Sequence, residues 1–279
     1  MKTNHFKLLT ALLLLIFCFN CAKEPLDKEP SNTINNDGIL LNKKIHSNTF
    51  YGPNVKLGNG KIRSWIRINS DNVPEEIGVE MTSGAMENLP SNEAGLSIVL
   101  PLHHKAQEVT PYDHIYVNWN PHGHEPQGVF SVPHFDIHFV MTSVAEREMI
   151  PAWAPGSIDA MFNNYPPQGF MPSNYGTPPG PFTAEIAMGK HWAPMNLVAF
   201  LPFTKIMIYG SYDGEVVFLE PMITLAYLRS PEAFTIPFSQ PEYFQLSTYY
   251  PTEYNSYFDS HNGNRMISLG GFVYRDAAN

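Results

Sequence analysis

Along residues 61–70 (KIRSWIRINS) the side chains alternate, with Ile62, Ser64, Ile66 and Ile68 on one side and Arg63, Trp65, Arg67 and Asn69 on the other. A strand repeats every two residues, so this period predicts a β-strand with two unlike faces. Residues 114–120 (HIYVNWN) alternate likewise, and LSIVLPL, FTKIMIYGSYDGEVVFLEPMITLAYL and MISLGGFVY add further β-type runs. Within the second of these, Asp213 and Gly214 predict a tight hairpin, because both reach positive φ at low cost. Helical signals are few. One short helix is expected over about 82–88, stopped by Pro90, and another over 144–149, capped by Thr142 or Ser143 and stopped by Pro151. The expected fold is mainly β, an antiparallel β-sandwich or barrel with one or two short helices and a long Pro-rich loop. That loop is 151–182, where eight prolines alternate with Gly, Asn and aromatic residues. Proline lacks the N–H that a helix or central strand needs, so neither is expected there. A long irregular connection commonly serves function or a partner.

The N-terminus breaks the β pattern. Lys2 and Lys7 precede an apolar run from Leu8 to Phe19, followed by Asn20, Cys21 and the charged stretch KEPLDKEP. Basic, apolar and polar regions in that order predict a secretory signal over residues 1–21. The run is too short for a permanent span, which takes roughly 20 residues. Cys21 looks like the lipidated cysteine of a bacterial lipoprotein, although Cys18, Phe19 and Asn20 depart from the usual residues before it. Simple cleavage and release, or an uncleaved anchor, are the alternatives. Residues 22–48 are polar and predict a flexible tether, leaving 49–279 as a single β-rich domain. Both cysteines lie in or beside the signal, so that domain has no disulfide.

Composition narrows the function classes. The net charge is −9 and no run of Lys or Arg occurs outside the signal, which argues against nucleic-acid partners. GxGxxG, Walker, GxSxG and HExxH signatures are absent. What stands out is histidine: seven of eleven fall between His103 and His138. In HFDIHF, strand alternation puts His134, Asp136 and His138 on one face and Phe135, Ile137 and Phe139 on the other. Imidazole suits zinc, copper, iron or nickel, and a carboxylate between two imidazoles can ligate or fix a tautomer. HGHEP offers His122, His124 and Glu125 from a loop, and MGKHW offers His191. Glu220 is a lone acid in an apolar β run, where it needs a metal, a cation or a hydrogen bond. Arg229, Lys205 or solvent could also answer that need. His103 and His104 predict an exposed turn.

These same segments (HGHEP, PHFDIHF, MGKHW and EPMIT), with GNGKIRSW and EMTSGAMENLP, resemble an uncharacterised family of exported bacterial proteins classed only as a domain of unknown function. The resemblance spans about 55–228 in matching order and fits only loosely beyond Leu228. It implies a mostly β domain in the envelope or outside the cell, and it points again to the histidines and acids just named. It brings no established reaction. The expectation is therefore an exported, membrane-anchored envelope protein holding one divalent metal, zinc foremost, with copper, iron and manganese open. His134, His138 and His191 would be ligands, Glu220 a fourth ligand or general base, and Asp136 a supporting partner or catalytic acid. His122, His124 and Glu125 are further candidate ligands. The rival expectation is a non-catalytic binding or homo-oligomeric assembly module using the Pro-rich loop and the aromatic residues Tyr243, Phe244, Tyr249, Tyr250, Tyr254, Tyr257 and Phe258.

Overall fold

A computed structural model describes residues 46–278. The expected signal segment, Cys21 and most of the tether lie outside the described residues. Strand Ser47–Tyr51 pairs with Gly60–Asn69, so the sheet takes in the last two positions of the expected tether. No helix among the described residues is long and apolar enough to cross a membrane.

Two antiparallel sheets make a sandwich. One sheet runs in the order Ser47–Tyr51, Gly60–Asn69, Pro74–Met81, Arg265–Gly270, Glu253–Phe258, Phe234–Pro237, with Val55–Leu57 on the flank of Gly60–Asn69. The other runs Leu96–Pro101, His114–Asn120, His134–Val140, Glu215–Thr224, Lys205–Tyr212, Gly189–Pro194, Tyr175–Gly176, with Ala184–Glu185 beside Gly189–Pro194. The core lies between them. Ile62, Ile66, Ile77, Val79, Ile267 and Leu269 from the first sheet share one apolar cluster with Val117, Phe135, Ile137, Phe139, Leu219 and Ile223 from the second. Each such side chain contributes about 1.5–3 kcal/mol on burial. That drive fixes the register, because a one-residue slip of His134–Val140 would send its aromatics outward and its histidines into the core.

The expected hairpin forms between Lys205–Tyr212 and Glu215–Thr224, with Asp213 and Gly214 at φ 47° and 89°. The helix Val144–Met149 forms with a reciprocal cap between Ser143 and Glu146. The helix expected over 82–88 is a 3-10 turn, Ser83–Met86. Three short α-helices were not anticipated: His104–Val109, whose cap is His103, Leu225–Arg229, capped by Thr224, and Ser157–Asn163 within the Pro-rich stretch.

The Pro-rich stretch is not one loop. An α-helix, Ser157–Asn163, occupies the Pro-free window between Pro155 and Pro166, and Tyr175–Gly176 adds an edge strand. Proline bars helix only where it stands, and ten residues without it are enough for two turns. Buried Lys190 ties this stretch to the sheet, donating to Asn163 Oδ1 (3.2 Å) and the Gly180 carbonyl (2.6 Å). Among the C-terminal aromatics, Phe244, Tyr250 and Tyr254 are buried, whereas Tyr243 and Phe258 are exposed.

Candidate metal centre

The outer face of the histidine-bearing sheet is built by register. His134, Asp136 and His138 point to it from one strand. Pairing of Leu219 with Phe139 and of Met222 with Asp136 sets Glu220 beside His138 on the neighbouring strand. Ile208 pairs with Glu220, and Gly210 pairs with both Phe218 and His191. Gly210 is essential to this layout. A Cβ there would lie 2.0 Å from the Phe218 ring, which instead crosses the glycine and packs on His138 (5.0 Å between centroids) and His191 (4.9 Å).

The residues divide into two groups. In one, His138 Nε2 is 3.3 Å from Glu220 Oε1 and His191 Nε2 is 3.6 Å from Glu220 Oε2. In the other, His134 Nε2 is 3.1 Å from Asp136 Oδ1 and His124 Nε2 is 3.4 Å from Asp136 Oδ2. Each could hold a metal ion, its candidate ligand atoms lying within 4.8 Å of one another. His134 and His138, expected to share one ion, belong to different groups. Four residues of strand separate them by roughly 13 Å of backbone, too far for one ion to bridge easily.

The second nitrogen of every ring is already committed. His124 Nδ1–H donates to the Glu125 carbonyl (2.7 Å), His134 to Val132 (2.6 Å), His138 to Tyr116 (3.2 Å) and His191 to Thr183 (3.2 Å). A carbonyl oxygen only accepts, so each Nδ1 carries the proton. In the neutral ring Nε2 is then a lone pair aimed at a carboxylate oxygen, another lone pair. Only a cation or a second proton makes that contact favourable. His134 Nε2, Asp136 Oδ1 and Glu220 Oε2 are buried with no hydrogen-bond partner. Leaving such atoms unmatched costs about 1–3 kcal/mol each.

Protons answer part of this need. Burial pulls His138 down, but the charge and hydrogen bond of Glu220 outweigh it and the pKa is raised. At His191 burial wins over the attraction of Glu220, with His138 repelling a second charge, and the pKa is lowered. The two rings on Glu220 are thus shifted in opposite directions, His138 towards its charged form and His191 towards its neutral form. In the other group burial again opposes charge, but Asp136 pushes His124 up to about 9. Burial would raise Asp136, yet the neighbouring His134 and His124 hold it well below the usual carboxylate range. Asn120 Nδ2 also donates to Asp136 Oδ2 (2.6 Å). Phe130 and Phe203 pack edge-on to the rings of this group.

Two sequence candidates stand outside both groups. His122 is exposed and its Nε2 meets the Ser91 carbonyl (3.0 Å), and the Glu125 carboxylate accepts from Gln127 N–H (2.6 Å) across its own turn. Glu220 pairs with neither Arg229, which donates to the Met86 carbonyl, nor Lys205, whose ammonium lies over the Tyr227 ring. Asn120 was missed. Its register partner is His134, so its place two residues from Asn118 on an alternating strand was the available signal. No protein-family model, curated protein or solved structure matches the chain.

Proposed function

We propose that the chain is an exported, lipid-anchored envelope metalloprotein that binds divalent metal, zinc foremost, at His138, His191 and Glu220 and at His124, His134 and Asp136. The observation that carries this reading is the set of four Nδ1–carbonyl hydrogen bonds, which leaves four Nε2 lone pairs facing carboxylate oxygens at 3.1–3.6 Å. Ring N–H groups oriented by carbonyls are the usual support of metal-bound histidine. Two imidazoles and one carboxylate per group is the ligand set of catalytic zinc sites, which keep a position open, rather than of closed four-ligand structural sites. A divalent ion held so supplies Lewis acidity and an activated water. The chain's own residues fix the ring orientations, pack Phe218 against His138 and His191, and keep the Asp136 carboxyl below its ordinary pKa. The signal-like N-terminus and Cys21 support export and anchoring.

The test is elemental analysis of the full-length chain recovered from membranes without chelators, beside His138→Ala. Up to two equivalents of zinc, copper, iron or manganese are expected in the wild type, with one equivalent lost in the variant. Absence of bound metal, with no uptake on titration, would overturn the metal reading. Recovery of the chain only from the medium, with Cys21 unmodified by mass spectrometry, would overturn the anchor.

A further inference from the structure

The sheet that lacks the histidines has a polar outer face of its own. Its register places Arg67, Glu76, Gly270 and Glu253 in one row across four strands, and Gly78, Ser268, Asn255 and Thr235 in the next. Here the surface sinks into a pocket of about 230 Å³. Its floor is Gly270, where a Cβ would lie 2.9 Å from Asn255 Nδ2 and 3.2 Å from Glu253 Oε1. A side chain at 270 would displace Asn255 and crowd Glu253.

One wall is rigid and internally satisfied. Glu76 accepts from Ser268, from Arg67 and from the Tyr257 hydroxyl (3.0 Å), and Arg67 also donates to Glu75 (3.1 Å). The opposite wall is not. Asn255 is 5% exposed, lines the pocket, and its Oδ1 is buried with no hydrogen-bond partner. Glu253 and Thr235 add a carboxylate and a hydroxyl with no side-chain partner among the described residues. The ligand must therefore donate to Asn255 Oδ1 and Glu253 while accepting from the Asn255 amide and Thr235.

Hydroxyl groups do both. Anions are excluded, since three carboxylates surround a single arginine that two of them already neutralise. The volume is below the roughly 300–1,000 Å³ of pockets for larger organic ligands, so it suits one ring. We propose that this pocket binds a neutral polyhydroxylated ring, a monosaccharide or the terminal sugar of a glycan, held by Asn255, Glu253 and Thr235 over Gly270. This does not depend on the metal reading.

The experiment is ligand-observed NMR titration of the full-length chain with glucose, galactose, mannose, N-acetylglucosamine and their methyl glycosides, with putrescine as a cationic probe. Saturable binding of at least one sugar is expected. It should weaken about tenfold or more in Gly270→Ala and in Asn255→Ala, each losing fit or a hydrogen bond, and stay unchanged in His138→Ala. Binding of methyl glycosides as well as free sugars would point to a glycan end, and binding of free sugars alone to a free solute; either carries the proposal. No sugar binding, sugar binding that survives both pocket variants, or binding of putrescine alone would overturn it. Thermal melts of the two variants verify that they remain folded.

Discussion

The two histidine groups share a strand and a ligand set but are built differently. His138, Glu220 and His191 come from three strands, so each is held by ladder register and by the ring of Phe218 over Gly210. His134 and Asp136 also come from a strand, but His124 reaches them from a loop, and its side chain is 41% exposed. The first group rests on strand residues alone, whereas the second depends on a loop residue. Sites built on regular elements hold their geometry more tightly than sites on loops.

The sharpest way to break this comparison is to remove one carboxylate at a time. Glu220→Gln should release the ion of the strand-built group and leave the other, while Asp136→Asn should do the reverse, read as one equivalent lost in each. If either variant empties both groups, they are one coupled site and the distinction fails. A smaller effect is expected from Asn120→Ala, which removes the amide that steadies Asp136. Metal affinity at the loop-closed group should fall about 10–100-fold, measured by competition with a chromophoric chelator, with the Glu220 group unmoved. The smallest effect is in pH. In the metal-free chain the folded pKa of His124 is about 9 against about 6.5 unfolded, so its contribution is complete below pH ~6.5 and lost as pH rises through 9. His138, also raised, acts in the same sense, while His191, lowered by burial, acts only below about pH 6.5 and in the opposite sense. The melting temperature of the chelated chain should therefore decline between pH 6.5 and 9, and His124→Gln should flatten that decline. A rise with pH over this window would refute the pairing of His124 with Asp136.

Much of this could be read from the chain. Alternation in HFDIHF located the polar face, the Asp213–Gly214 turn located the hairpin, and a lone acid in an apolar run singled out Glu220. Each is a local signal, decided within a few residues. Grouping was harder. Pointing the same way on a strand is not the same as meeting, and the roughly 13 Å of backbone from His134 to His138 argues against one shared ion. The fate of HGHEP was not legible, since whether His122 or His124 turns towards the sheet depends on where Ser91 and Asp136 stand, and both are distant in sequence. Nor was the pocket beside Gly270, whose parts come from five strands and carry no motif.

The four Nδ1–carbonyl hydrogen bonds have a spectroscopic consequence. A ring proton locked in such a bond and shielded from water gives its own downfield line in a proton NMR spectrum, and filling of the neighbouring Nε2 shifts it. The chain thus carries a reporter on the buried rings of His134 and His138, one in each group, so the order in which the two groups take up an ion can be watched without adding a probe.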